Sequence, residues 1–152
     1  MKKAFTLIEL IFVIVIIGIM AAVGSSFFRS DYLRNDVQFI LSKIQEAHYR
    51  GIGYEHNDFG IESSTPDYQN GCIELKKNRL NDSVTNATAH YHLHVDDFDY
   101  GVLCFDAKGR PHHDNFKKST LLTTQKVLNF TYSGKSQSII IEPVSGYAII
   151  KQ

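Results

Sequence analysis

The chain has no tryptophan, two cysteines and three prolines in 152 residues. Cys72 and Cys104 are too few for a disulfide scaffold, and they lack the C-x-x-C spacing of a zinc or thioredoxin-like site. One disulfide or two thiols is what they leave. Net charge is missing too: 16 basic residues balance 16 acidic ones, so no global field draws the protein to nucleic acid or to anionic lipid. There is no G-x-S-x-G elbow, no phosphate-binding glycine loop and no H-E-x-x-H pair, so the motifs of common hydrolases, nucleotide enzymes and zinc proteases are excluded. No internal repeat or low-complexity tract interrupts the chain. Its length suits one compact domain plus an appended element.

What is present is concentrated at the start. Lys2 and Lys3 precede an apolar stretch, and no charge occurs from Leu10 to Phe28, a run of 19 residues. A helix needs roughly 20 apolar residues to cross a hydrocarbon core about 30 Å thick. With the lysines at the cytoplasmic face, the positive-inside rule sends the C-terminal bulk outward. Gly18, Ala21, Ala22, Gly24 and Ser25 are small enough for helices to approach closely there. An ordinary signal peptide has the same basic and apolar parts. It has no use for Glu9, a carboxylate at the margin of the apolar block that by default wants a partner.

The segment Ala4-Phe5-Thr6-Leu7-Ile8-Glu9 and its apolar run resemble the leader and N-terminus of type IV pilins and type II secretion pseudopilins. The resemblance implies that a prepilin peptidase cuts between Ala4 and Phe5, discarding residues 1–4 and methylating the Phe5 amine. The family usually has Gly where this chain has Ala4, so cleavage is expected, but slower. Glu9 falls on the family's glutamate, implied to pair with the N-terminal ammonium of a neighbouring subunit. Two groups costly to bury singly become tolerable as an ion pair, with register rather than stability as the benefit. The other implied partners are further pilin or pseudopilin subunits, membrane lipid, an inner-membrane platform protein and an assembly ATPase. The implied location is the bacterial inner membrane, crossed once with the N-terminus cytoplasmic and the head extracytoplasmic, and then the filament.

After Arg29 the apolar positions Leu33, Val37, Ile40, Leu41, Ile44 and Ala47 recur every three or four residues, an amphipathic helix stopped at Gly51 or Gly53. One continuous helix from Phe5 to Tyr49 is therefore expected, roughly 65 to 70 Å long. Residues 54–70 are polar and rich in turn formers. The period then changes to two, predicting strands at Cys72–Leu75, Ala89–Val95, Val102–Asp106, Lys126–Tyr132, Ser138–Glu142 and Tyr147–Lys151. The expected fold is α+β and pilin-like: a long N-terminal helix on an antiparallel sheet. Its divisions are a leader at 1–4, a membrane and filament-core helix at 5–28, and a head at 29–152. The head comprises a helix at 29–50, a loop at 51–70 and a sheet at 71–152. Within the head, LCFDAKGRP and IIIEPVSGYAIIK resemble the ending of H-type minor pseudopilins, which implies a minor subunit.

The cysteines lie in the exported part, where a disulfide between Cys72 and Cys104 is permitted. His90, His92 and His94 alternate with apolar residues, so a strand would place the imidazoles on one side, a pattern suited to zinc, copper or nickel, with His112, His113 or Asp114 available to join. Asp96, Asp97 and Asp99 before Gly101 resemble oxygen-rich calcium loops but lack the glutamate of an EF-hand. A solvated face and a solvated turn are the simpler readings, and no resident cofactor is expected. Basic residues at Lys76, Lys77, Arg79, Lys108, Arg110, Lys117 and Lys118 are scattered among acids, a weak basis for DNA binding. The expectation is a non-enzymatic subunit of a type IV pilus or of a secretion or transformation pseudopilus. The alternative is a membrane-tethered metal- or DNA-binding receptor.

Overall fold

The computed structural model describes residues 6–27, 31–53, 65–82 and 91–151, with side chains at all of these except 23–27 and 81–82. The chain forms two compact units, the first ending at Asp31 and the second starting at Tyr32. The first unit carries α1, Leu7–Phe27, 21 residues long. Every described side chain from Thr6 to Ala22 is exposed, including Leu7, Phe12 and Met20. Over the described residues, no helix is long and apolar enough to cross a membrane.

The second unit opens with α2, Tyr32–Gly51. Asp31 is not helical, so the expected continuous helix is described as two, with residues 28–30 outside the described ones. The stripe on α2 is the expected one: Leu33, Val37, Ile40, Ile44 and Ala47 are buried, and Leu41 is partly so. The helix ends at Gly51, where the main chain at Phe105 crosses closely. A Cβ at Gly51 would lie 2.3 Å from the carbonyl oxygen of Phe105.

Two three-stranded sheets follow, both antiparallel as expected. The first comprises β1 (Cys72–Lys76), β2 (Asp99–Phe105) and β3 (Pro111–His113), with a short helix α3 (Lys77–Asp82) after β1. The second comprises β4 (Lys126–Tyr132), β5 (Lys135–Ile141) and β6 (Ala148–Lys151). Ser133 and Gly134 link β4 to β5, both with positive φ (51° and 77°), as a two-residue hairpin requires. The Pro143 to Gly146 turn joins β5 to β6 as expected. At Gly146 φ is 66°, and a Cβ would lie 2.1 Å from the Gly109 carbonyl oxygen. Inward residues of both sheets, among them Leu75, Leu103, Phe105, Leu128, Phe130, Ile139 and Ile141, form one core with the α2 stripe. Helix α2 lies against strands of both sheets and serves as their shared spine.

The strand expected at Ala89–Val95 is absent over its described part, residues 91–95. The alternation is real, since Leu93 and Val95 are buried while His92 is exposed. The expected ladder fails because the N–H groups of His94 and Val95 donate to the Asp36 carboxylate on α2, the latter at 2.8 Å. A side chain takes the place of a neighbouring strand.

Candidate functional site

Ala4 and Phe5, the expected processing pair, lie outside the described residues. Glu9 sits in the first turn of α1 and is held locally. The Thr6 N–H and Thr6 Oγ1 both donate to Glu9 Oε2, at 3.0 and 2.9 Å, and the Glu9 N–H donates back to Thr6 Oγ1 at 3.4 Å. This is a capping box, in which a threonine and the glutamate three residues on satisfy each other's otherwise orphaned donors. The carboxylate thus has a partner within its own chain before any neighbour is considered. Its signature, Thr6-Leu7-Ile8-Glu9 ahead of an apolar run, is legible in the sequence, and it gives Glu9 a role within its own helix beside the expected intermolecular one.

From this cap onward α1 is apolar on every side, with Ile8, Ile11, Ile14, Val15, Ile16 and Ile19 all exposed. A surface helix of a globular protein keeps a polar face. One apolar all round belongs in lipid or in the core of an assembly.

Cys72 and Cys104 face each other in register on β1 and β2 and are joined by a disulfide, with Cα atoms 4.0 Å apart. With Phe116 they form a small second cluster, and Val102 packs against it. The bond pins β1 to β2 on that cluster.

The proposed metal ligands are not brought together. His90 lies outside the described residues. His92 is exposed, with its ring 5.8 Å from that of His94. His94 instead packs against Tyr32 at 4.2 Å, and its Nδ1 lies 3.5 Å from Asp36 Oδ1. His113 pairs with Asp114 at 2.7 Å, while His112 is buried with Nδ1 3.1 Å from the Lys117 carbonyl oxygen. Among the described residues no three His, Cys, Asp or Glu side chains form a group that could hold a metal ion.

The acidic run does not fit calcium either. Asp99 takes a salt bridge from Lys76 at 2.9 Å and an N–H from Gly101, and these two contacts, the lysine first, lower its pKa. Asp96 Oδ2 accepts the Thr131 hydroxyl at 2.6 Å, and Asp97 is exposed. Four of the basic candidates for DNA are likewise engaged. Lys76 holds Asp99, Arg79 meets Glu74 at 3.3 Å, Arg110 meets Asp106 at 2.6 Å, and Lys77 donates to the Val95 carbonyl.

Two polar features, one buried and one partly buried, carried no motif signal. Asp36 is fully buried in the α2 stripe, accepting the Tyr91 hydroxyl at 2.8 Å besides the two N–H groups of 94 and 95. Burial, then the bond to Asp36, raises the Tyr91 pKa and keeps its hydroxyl a donor. The positional signal was an acid one turn from Ile40 on the apolar side. The second is Asp106, which organises the turn to β3. Its Oδ1 accepts the N–H groups of Lys108 and Arg110 at 3.0 and 2.8 Å, and its Oδ2 accepts Arg110 Nε at 2.7 Å. Burial works against its charge, yet the Arg110 guanidinium and these N–H groups hold its pKa below the usual carboxylate value.

Residues 1–25 match the model of the prokaryotic N-terminal methylation motif. The match covers the same stretch that resembles the N-terminus of type IV pilins. No curated protein and no solved structure matches the chain.

Proposed function

We propose that this chain is a non-enzymatic subunit of a type IV pilus or of a secretion or transformation pseudopilus, and a minor one. It is cut between Ala4 and Phe5, methylated at Phe5, anchored through residues 5–28 in the inner membrane, and then drawn into a filament with its head outside the cytoplasm. The observation that carries this is α1: capped at Glu9, exposed, and apolar around its whole circumference within the motif-matching segment. The uncharged run reaches Phe28, beyond the last described side chain of α1, and so attains the roughly 20 residues a crossing needs. Such a helix has two environments open to it, lipid and the packed centre of a filament, and a subunit that moves from one to the other uses both. The H-type endings favour a minor subunit, and a platform protein and an ATPase would supply the work of extraction. Among the described residues of the head, the receptor alternative draws no support: no His, Cys, Asp or Glu group there could hold a metal ion, and Lys76, Arg79 and Arg110 are each paired with an acid.

Intact mass and N-terminal sequencing of the mature protein test this reading. The expected species begins at N-methylated Phe5. A mature chain retaining Met1, or cut beyond Ala22, overturns it.

A further inference from the structure

The head carries a cluster of half-exposed aromatic and imidazole rings at the start of α2. Tyr32, the first residue of that helix and 43% exposed, has its ring 4.2 Å from His94 and 6.1 Å from Tyr132. His92 extends the cluster beside His94, and Tyr132 adjoins the exposed Ser133-Gly134 turn with Lys135 opposite it in register. Behind the rings, the buried Asp36 holds the segment bearing His92 and His94 to α2 through the His94 and Val95 N–H groups. These rings are thus fixed in place, not merely stranded at the surface.

Their chemistry is of one kind: an apolar body ending in a phenol or imidazole that must keep a hydrogen bond. That combination suits the layer between hydrocarbon and water, where tyrosine concentrates. Position in the chain supplies the partner. Tyr32 follows Phe27, the last residue of α1, by five residues, a reach of at most about 17 Å. A subunit whose apolar run is held in a bilayer therefore keeps Tyr32 within reach of the headgroups. Tyr49, 17 residues further along α2, lies about 25 Å from Tyr32 along the axis.

We infer that Tyr32, His92, His94 and Tyr132 form a lipid-interface patch by which the head rests on the headgroup layer before assembly. The inference depends on the anchored reading above. It adds a contact surface on the head and names lipid as its partner.

The test uses the full chain, which has no native tryptophan, with single substitutions Tyr32→Trp, Tyr132→Trp, Tyr49→Trp and Phe12→Trp in phosphatidylcholine vesicles. Some vesicles carry bromine near the top of the acyl chain, others near its end. Tyr32→Trp and Tyr132→Trp should lose fluorescence to the shallow bromines, with blue-shifted emission, whereas Tyr49→Trp should lose none. Phe12→Trp should be quenched by the deep bromines. Quenching at position 12 with none at 32 and 132 overturns the patch and leaves the anchor standing. Absence of quenching at all four positions overturns the anchor itself. Equal quenching at 32 and 49 also overturns the patch, since the head would then touch lipid without preference. Should position 32 or 132 fail to fold, His92→Trp reports from the same cluster.

Discussion

Asp36 shows how one side chain decides a segment. A fully buried carboxylate is costly unless its lone pairs are met, and here they accept a hydroxyl and two backbone N–H groups. Removing it by Asp36→Ala leaves three partly or fully buried donors unpaired, at about 1 to 3 kcal/mol each, so a loss of about 3 to 5 kcal/mol is expected. Tyr91→Phe removes one donor and leaves the rest, for about 1 kcal/mol. Urea unfolding of the full chain in detergent measures both. Equal effects would show that Asp36 matters chiefly through Tyr91, contrary to its role as the anchor of residues 94 and 95. No periodicity argument could find this bond, because its partners are nearly 60 positions apart.

Among the elements, the turn between β2 and β3 rests on Asp106 as an ion. Its folded pKa is depressed, so the stability it contributes is present above the ordinary carboxylate value of about 3.9 and is lost as pH falls through the lower folded value. Denaturation midpoints should therefore decline on acidification below about pH 4. Asp106→Asn should lower the midpoint at neutral pH and flatten part of that decline. Glu46, lowered mainly by Lys43, and Asp99, lowered mainly by Lys76, add to the same decline. An unchanged acid slope in Asp106→Asn would remove the ionised turn from the account.

Strand assignments followed element physics closely where a ladder forms. Lys126–Tyr132 is observed as expected, and the other observed strands except β3 begin or end within a few residues of the predicted ones. The exceptions share one cause: pairing partners are chosen in three dimensions. Strand β3 is three residues long and carries no periodic signal of its own. The split into two sheets follows from β4 finding side-chain and loop partners instead of a strand. The Tyr100 hydroxyl accepts the Asn129 N–H at 2.8 Å and donates to its carbonyl, while the Asp96 N–H donates to the Thr131 carbonyl at 2.7 Å.

At the scale of the whole molecule, the question is whether Glu9 serves only its own helix. The capping box and the proposed intersubunit pairing make different demands on the same carboxylate. Glutamine can close a capping box and carries no charge. If the charge is used between subunits, Glu9→Gln and Glu9→Leu should both insert in the membrane yet fail to enter filaments, as read by crosslinking to neighbouring subunits. If only the cap matters, Glu9→Gln assembles normally and the pairing proposal falls.

The sequence by itself determined the α+β class, the apolar helix with its charged start, the buried stripe on α2 and the alternation of most strands. These are local properties, set by side-chain period and by the solvent each face meets. The tertiary structure alone decided that Cys72 and Cys104 stand opposite each other, that Asp36 replaces a strand for residues 94 and 95, and that the described histidines do not converge on a metal site. Each of those depends on which distant segments come to lie side by side. That choice is made by the shared core on α2, not by any one stretch of chain.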